Sequence, residues 1–166
     1  MTRRETTEIF AALKIGYPRA EMFKGGVETL KPTVELWAAT LHDVDFAMAQ
    51  RALYRVLREC KFPPTIAEFR TAVEAEEADL RQKAKIAADG IRLHFALQKT
   101  LDDYKPDSDV TRMAIERLGG IDRLFSKGER YDVWRWNEFE SAYRAAYLGA
   151  SPTFEKRRMK EIGGTT

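Results

Sequence analysis

Two adjacent prolines, Pro63 and Pro64, stand near the middle of the chain in the stretch "KFPPTIAEFR". Proline lacks a backbone N–H and its ring clashes with the preceding helical turn, so a helix cannot continue through the pair. Thr65 follows the prolines and Glu68 comes three residues later, which is the pattern of a capping box at a helix start. The stretch therefore predicts that one helix ends before the prolines and that another begins directly after them, at a rigid corner.

The 62 residues before the corner predict three helices. The first spans residues 2–16, where Thr2 and Glu5 form a capping box and Gly16 ends the helix by adopting a positive φ. Residues 19–30 are expected to form a loop, and the second helix opens at residues 31–33, with Pro32 near its start. Asp45 caps a third helix that runs from residue 46 to about residue 60. With the helix after the corner, these segments predict a small helical bundle over residues 1–73, with apolar stripes at Ile9, Phe10, Leu13, Val34, Trp37, Leu41, Ala49, Leu53, Val56, Leu57 and Cys60.

The part after the corner predicts a second helical module. Residues 74–88 read "EAEEADLRQKAKIAA", which combines strong helix formers with few large apolar residues and is typical of a solvent-exposed helical linker. Asp89-Gly90 is the expected weak point. Residues 89–149 hold a helix capped by Asp107 or Asp109, a stop at Gly119-Gly120, and an aromatic stripe formed by Trp136, Phe139, Tyr143 and Tyr147. Residues 150–166 are expected to be a disordered basic tail. No alternating strand pattern occurs, so the fold class is all-α.

The composition indicates a protein without chemistry of its own. Lys and Arg total 28 and Asp and Glu total 26, so the net charge of +2 produces no strong basic field for nucleic acid. The single cysteine, Cys60, excludes an internal disulfide, and together with the polar N-terminal sequence it favours the cytoplasm and no membrane association. His42 and His94 lack ligand partners at helical spacing, and no nucleotide-binding or hydrolase motif is present. We therefore expect no enzymatic activity, no cofactor and no metal.

Two clusters are candidates for partner binding. Trp134 lies off the aromatic stripe beside Arg135, which makes it a possible exposed anchor, although stripes at helical spacing are usually core. The basic tail residues could bind an acidic partner or phosphates, although a solvated tail is the simpler interpretation. The tail residues concerned are Lys156, Arg157, Arg158 and Lys160.

The residues around the corner carry a resemblance. Trp37, Leu41, Asp43 and Asp45, followed by "FPPTIAE" at residues 62–68, resemble the N-terminal domain of bacteriophage replicative-helicase loaders that are also helicase inhibitors. The likeness covers roughly residues 4–73, and the corner is its most specific part. The C-terminal stretches "AIERLGG" and "WRWNEFESAYRAAY" have a looser likeness to phage replication proteins.

The resemblance implies a helical N-terminal domain without ATPase activity. Such loaders bind the hexameric replicative helicase, hold it inactive and deliver it to an origin bound by the phage initiator protein, in the cytoplasm of the bacterial host. The motif residues are then expected to build the fold as a structural corner, formed by Trp37, Phe62, Pro63, Pro64, Thr65 and Glu68. Two alternatives stay open. One is a DNA-binding replication protein or regulator that uses the C-terminal module and tail, and the other is a phage structural or adaptor protein without a replication role.

Overall fold

A computed structural model describes residues 1–97, 104–124 and 135–149. Within these ranges the regular structure is helical and no strand occurs, which confirms the all-α class. Six α-helices are described: α1 (Arg3–Gly16), α2 (Gly26–Thr40), α3 (Phe46–Glu59), α4 (Ile66–Ala96), α5 (Asp109–Arg117) and α6 (Trp136–Gly149). Two short 3₁₀ turns, Glu21–Phe23 and Ile121–Leu124, lie between them. The chain divides into two compact units, Met1–Asp79 and Leu80–Thr166.

The predicted starts of α1 and α3 are confirmed. The Thr2 N–H donates to Glu5 Oε2 over 2.6 Å and the Glu5 N–H donates to Thr2 Oγ1 over 3.3 Å, completing the capping box. These hydrogen bonds, led by that from the Thr2 backbone, hold the pKa of Glu5 below its ordinary value. At α3, Asp45 Oδ1 accepts from the N–H groups of Ala47 and Met48 over 2.9 and 3.2 Å. Both caps satisfy donors that have no partner inside the helix.

Three local expectations in the first unit are wrong. The second helix begins at Gly26 instead of near Lys31, so Pro32 lies inside α2, on its exposed face. Gly16 does not adopt a positive φ. A Cβ at Gly16 would lie 2.3 Å from Leu57 Cδ2, so this glycine allows α1 and α3 to approach closely. Cys60, expected on the buried stripe, is exposed, because α3 ends at Glu59.

The core of the first unit is aromatic and aliphatic. Trp37 of α2 lies between two rings, with its centroid 5.0 Å from that of Phe10 on α1 and 5.3 Å from that of Phe69 on α4. Phe10 also meets the ring of Phe23 edge-on at 6.5 Å. The expected core side chains of the three helices are buried, with Leu57 the exception at intermediate exposure. One Trp37-centred cluster thus holds α1, α2 and the start of α4 together.

Helix α4 continues through Asp89 and Gly90 to Ala96, so the expected break does not occur. Its stretch 74–88 is helical, as predicted, but the expectation that it lacks core contacts is wrong. Leu80 is buried, and so are three alanines of α4, Ala84, Ala87 and Ala88. Alanine side chains give a weak periodic signal in a sequence, yet their small size permits close helix packing, and here they belong to the core of the second unit.

The second unit shows one changed cap and one confirmed stop. Ser108, and not Asp107 or Asp109, caps α5, because its Oγ accepts from the Thr111 N–H over 3.1 Å. Gly119 and Gly120 have φ values of +83° and +105°, in the left-handed region that glycine adopts without strain. The stop predicted for this helix is therefore confirmed.

The aromatic stripe of α6 is core at its centre and half-buried at its ends. Phe139 and Tyr143 are buried, whereas Trp136 and Tyr147 are partly exposed. Tyr147 meets α4, since Lys83 Nζ lies 3.3 Å from its hydroxyl and 5.1 Å from its ring centroid. The predicted tail, residues 150–166, lies outside the described residues.

Candidate partner-binding surfaces

The proline corner is built as the sequence indicates. Thr65 Oγ1 accepts from the Glu68 N–H over 3.2 Å, and Glu68 Oε2 accepts from the Thr65 N–H over 2.7 Å and from its hydroxyl over 2.9 Å. These hydrogen bonds, led by that from the Thr65 backbone, hold the pKa of Glu68 below its ordinary value. Pro64 is buried and Pro63 is half-buried. The corner thereby directs the first turn of α4 so that Phe69 reaches Trp37.

Phe62 is the exception among the expected corner residues, since its side chain is 71% exposed. It precedes Phe69 by seven residues, a spacing that would place both rings on one face of an uninterrupted helix. The two prolines break that register. Phe62 therefore points to solvent, and Lys61 Nζ lies 5.8 Å from its ring centroid.

Tyr17 connects the end of α1 to the end of α3. Its hydroxyl lies 3.2 Å from the Val56 carbonyl oxygen and 3.0 Å from that of Cys60, and can donate to either. Both acceptors lie at the end of α3, where carbonyl groups lack partners inside the helix. Burial raises the pKa of the Tyr17 phenol, and the charge of a nearby Cys60 thiolate adds to the shift. The tyrosine stays protonated at neutral pH and fixes the segment after α1 beside the corner.

A groove of about 310 Å³ lies between these two segments. We call it the corner groove, and its main lining residues are Tyr17, Pro18, Arg19, Lys61, Phe62 and Pro63. Its walls are apolar rings, and its charged groups are two cations. Neither Arg19 nor Lys61 pairs with an acidic side chain in the described part of the chain.

A second groove, of about 320 Å³, runs between α1 and α2. Phe10, Leu30 and Val34 form its apolar floor, and Arg3 and Lys31 stand at its edge. Both of these cations are already paired, Arg3 with Glu35 at 2.9 Å and Lys31 with Glu28 at 2.8 Å. The charge of this groove is therefore largely compensated within the unit.

The second unit has a groove of about 300 Å³ where α4 meets the segment before α5. Leu93 and Leu97 are 61% and 60% exposed there, and the His94 ring meets that of Tyr104 edge-on at 5.2 Å. Burial raises the pKa of Tyr104 to about 12, with a smaller contribution from the Asp107 carboxylate. This groove carries both a cation, Lys105, and an anion, so it has no single sign of charge.

The binding residues predicted from sequence are mostly beyond reach. Arg135 is exposed and forms an ion pair with Glu138 at 3.4 Å, at the start of α6. Trp134 and the tail cations Lys156, Arg157, Arg158 and Lys160 lie outside the described residues. The corner groove was not predicted. Its signal in the sequence is an aromatic residue placed directly before two prolines, where it belongs to neither helical stripe.

The described residues hold no group of three or more His, Cys, Asp or Glu side chains arranged to bind a metal ion. None of the described helices combines the length and apolar character needed to cross a bilayer. The arrangement on these residues thus offers surfaces, built from grooves and exposed apolar side chains, for recognition.

Comparison with protein families gives one match. Residues 1–70 match the family of the phage helicase loader and inhibitor N-terminal domain. Comparisons with curated proteins and with solved structures give no match. The matched range contains α1, α2, α3 and the first turn of α4, including the proline corner and its capping box. Residues 1–70 therefore carry the N-terminal domain of a family of phage helicase loaders and inhibitors.

Proposed function

We propose that this protein is a non-enzymatic accessory factor of phage DNA replication that binds the hexameric replicative helicase, holds it inactive and helps to load it at the origin. The observation that supports the proposal is the family match over residues 1–70, which coincides with the bundle around Trp37 and the proline corner. A family of helicase loaders and inhibitors has a non-catalytic role and is associated with helicase binding. We also propose that the phage initiator is a second partner and that the protein acts in the cytoplasm of the bacterial host.

Such a protein acts through differential binding. A ligand shifts a conformational equilibrium only by the difference between its affinities for the two states. Inhibition therefore requires that the protein bind an idle conformation of the helicase more tightly than the translocating one. A hundredfold difference in affinity, about 2.7 kcal/mol, suffices to move a helicase population from mostly active to mostly idle. Two helical units in one chain can engage two sites, and the second contact then benefits from a high effective concentration.

Gel filtration of the full chain with its cognate replicative helicase tests the binding. In the presence of ATP at micromolar concentrations, we expect one peak that contains both proteins. A strand-displacement assay on the same mixture should show slower unwinding as the protein is added, and recovery when an origin-bound initiator is supplied. Two separate peaks, or an unwinding rate that the protein leaves unchanged, would contradict the proposal.

The non-enzymatic part has its own test. The purified chain alone should release no phosphate from ATP above a buffer control, in the presence of magnesium and at several protein concentrations. ATP hydrolysis by the isolated chain, proportional to its concentration, would refute a purely accessory role.

A further inference from the structure

The corner groove differs from the rest of the first unit in its charge. Most cations of that unit are paired, as in Arg3 with Glu35 at 2.9 Å and Arg4 with Glu8 at 3.6 Å. Arg19 and Lys61 line one groove and have no acidic partner among residues 1–97, 104–124 and 135–149. An uncompensated pair of like charges in one concave site attracts anions.

The apolar part of the groove is held rigidly. Pro18 and Pro63 have fixed φ angles, and the Tyr17 hydroxyl is bound to the end of α3. Phe62 stands at the edge with 71% of its side chain exposed, which removes a large aromatic surface from the core at no benefit to folding. Rigid aromatic groups next to arginine are the composition of interface hot spots, because little conformational entropy is lost on binding.

We propose that the corner groove binds an acidic segment of the helicase that presents an apolar side chain to Phe62 and carboxylates to Arg19 and Lys61. The inference rests on the proposed function and adds the surface and the chemistry of its partner. Arg19 can hold a carboxylate in two parallel hydrogen bonds, whereas Lys61 acts as a point charge. Complementary charge would mainly accelerate association, and the apolar contact would slow dissociation.

Two other occupants fit the groove less well. In a symmetric dimer the same patch faces itself, which would place Arg19 and Lys61 against their own copies and cost repulsion. Single-stranded nucleic acid is held by a track of cations along the backbone together with stacked bases, and two cations supply little of such a track. The charge and shape of the groove therefore favour an acidic protein segment.

Charge reversal and truncation test the groove in the full chain. We expect Arg19→Glu with Lys61→Glu, and separately Phe62→Ser, to raise the Kd for the cognate helicase about tenfold or more, measured by biolayer interferometry. The controls match each change in chemistry and exposure. Lys14→Glu alters an exposed cation of α1 that does not line the corner groove, and Leu36→Ser alters an apolar residue that is 59% exposed on α2. Both controls should stay within about twofold of the unmodified chain.

Salt and chemical protection give readouts that a change in folding would not mimic. Affinity of the unmodified chain should fall as salt rises from about 50 to about 300 mM, and this dependence should be weaker in the doubly reversed variant. Cys60 is the only cysteine, is exposed, and precedes Lys61. Its alkylation by iodoacetamide, followed by mass spectrometry, should slow several-fold when the helicase is bound. Circular dichroism should show unchanged helicity, since every altered side chain is at the surface.

The outcomes separate the two proposals. If the unmodified chain forms no complex with the helicase, both the proposed function and the inference are overturned. If the complex forms but the groove variants bind as tightly as the controls, or Cys60 stays fully reactive in the complex, only the inference is overturned. The inference also fails if the groove variants lose self-association by sedimentation, or binding to a labelled single strand of about 20 nucleotides, while retaining the helicase.

Discussion

Replacing Phe69 and Phe62 with alanine, one at a time, tests whether the proline corner separates a core phenylalanine from a surface one. Phe69 is 0% exposed and its ring centroid lies 5.3 Å from that of Trp37. Truncating a fully buried phenylalanine costs roughly 3–5 kcal/mol, because the transfer free energy is lost and a cavity remains. Phe62 is 71% exposed, so its truncation removes only about a third of a phenylalanine's burial, roughly 0.5–1 kcal/mol.

Urea unfolding measures the contrast. With an m value of roughly 1.5 kcal/mol/M, Phe69→Ala should lower the midpoint by about 2–3 M and Phe62→Ala by less than about 0.7 M. The chain has three tryptophans. In a background with Trp134→Phe and Trp136→Phe, fluorescence reports Trp37 and hence the first unit alone. Equal midpoint shifts for the two alanine variants would refute the claim that the prolines place these rings in different environments.

Three further changes test local features. Gly90→Ala should stabilise α4 by about 0.5–1 kcal/mol, since nothing lies within 4 Å of the added Cβ, whereas Gly119→Ala should cost about 1–2 kcal/mol at φ +83°; thermal melts would decide, and a shift of the same sign in both would refute the assignment. Thr65→Ala should cost about 1 kcal/mol in urea titrations, and a neutral result would argue against the cap. Because the pKa of Glu68 is lowered in the folded state, its stabilisation is complete above the unfolded pKa and is lost as pH falls through the folded one. Melts between about pH 5 and 3 should therefore be less steep in pH for Glu68→Gln, and unchanged pH dependence would contradict this. Arg55→Ala should cost about 1–3 kcal/mol in urea, since it strands the Glu76 carboxylate of α4, which is 13% exposed, and a change below about 0.5 kcal/mol would contradict that pairing.

The sequence by itself determined the features that depend on neighbours three or four residues apart. Both capping boxes, the Asp45 cap and the stop at Gly119-Gly120 follow from side-chain and backbone chemistry within one helical turn. The all-α class follows from the same local periodicity. The resemblance carried by the corner also lies within one short segment, and the family match over residues 1–70 confirms it.

Only the tertiary structure decided the features that depend on contacts between distant segments. Gly16 is required by Leu57, forty-one residues later, and not by its own φ. The alanines of α4 look like a polar linker until another element covers them. The corner groove exists because Tyr17 and Phe62 meet across a fold that no local pattern encodes. Burial and pairing are properties of the neighbours that folding brings together, and a residue's own type sets only which neighbours it tolerates.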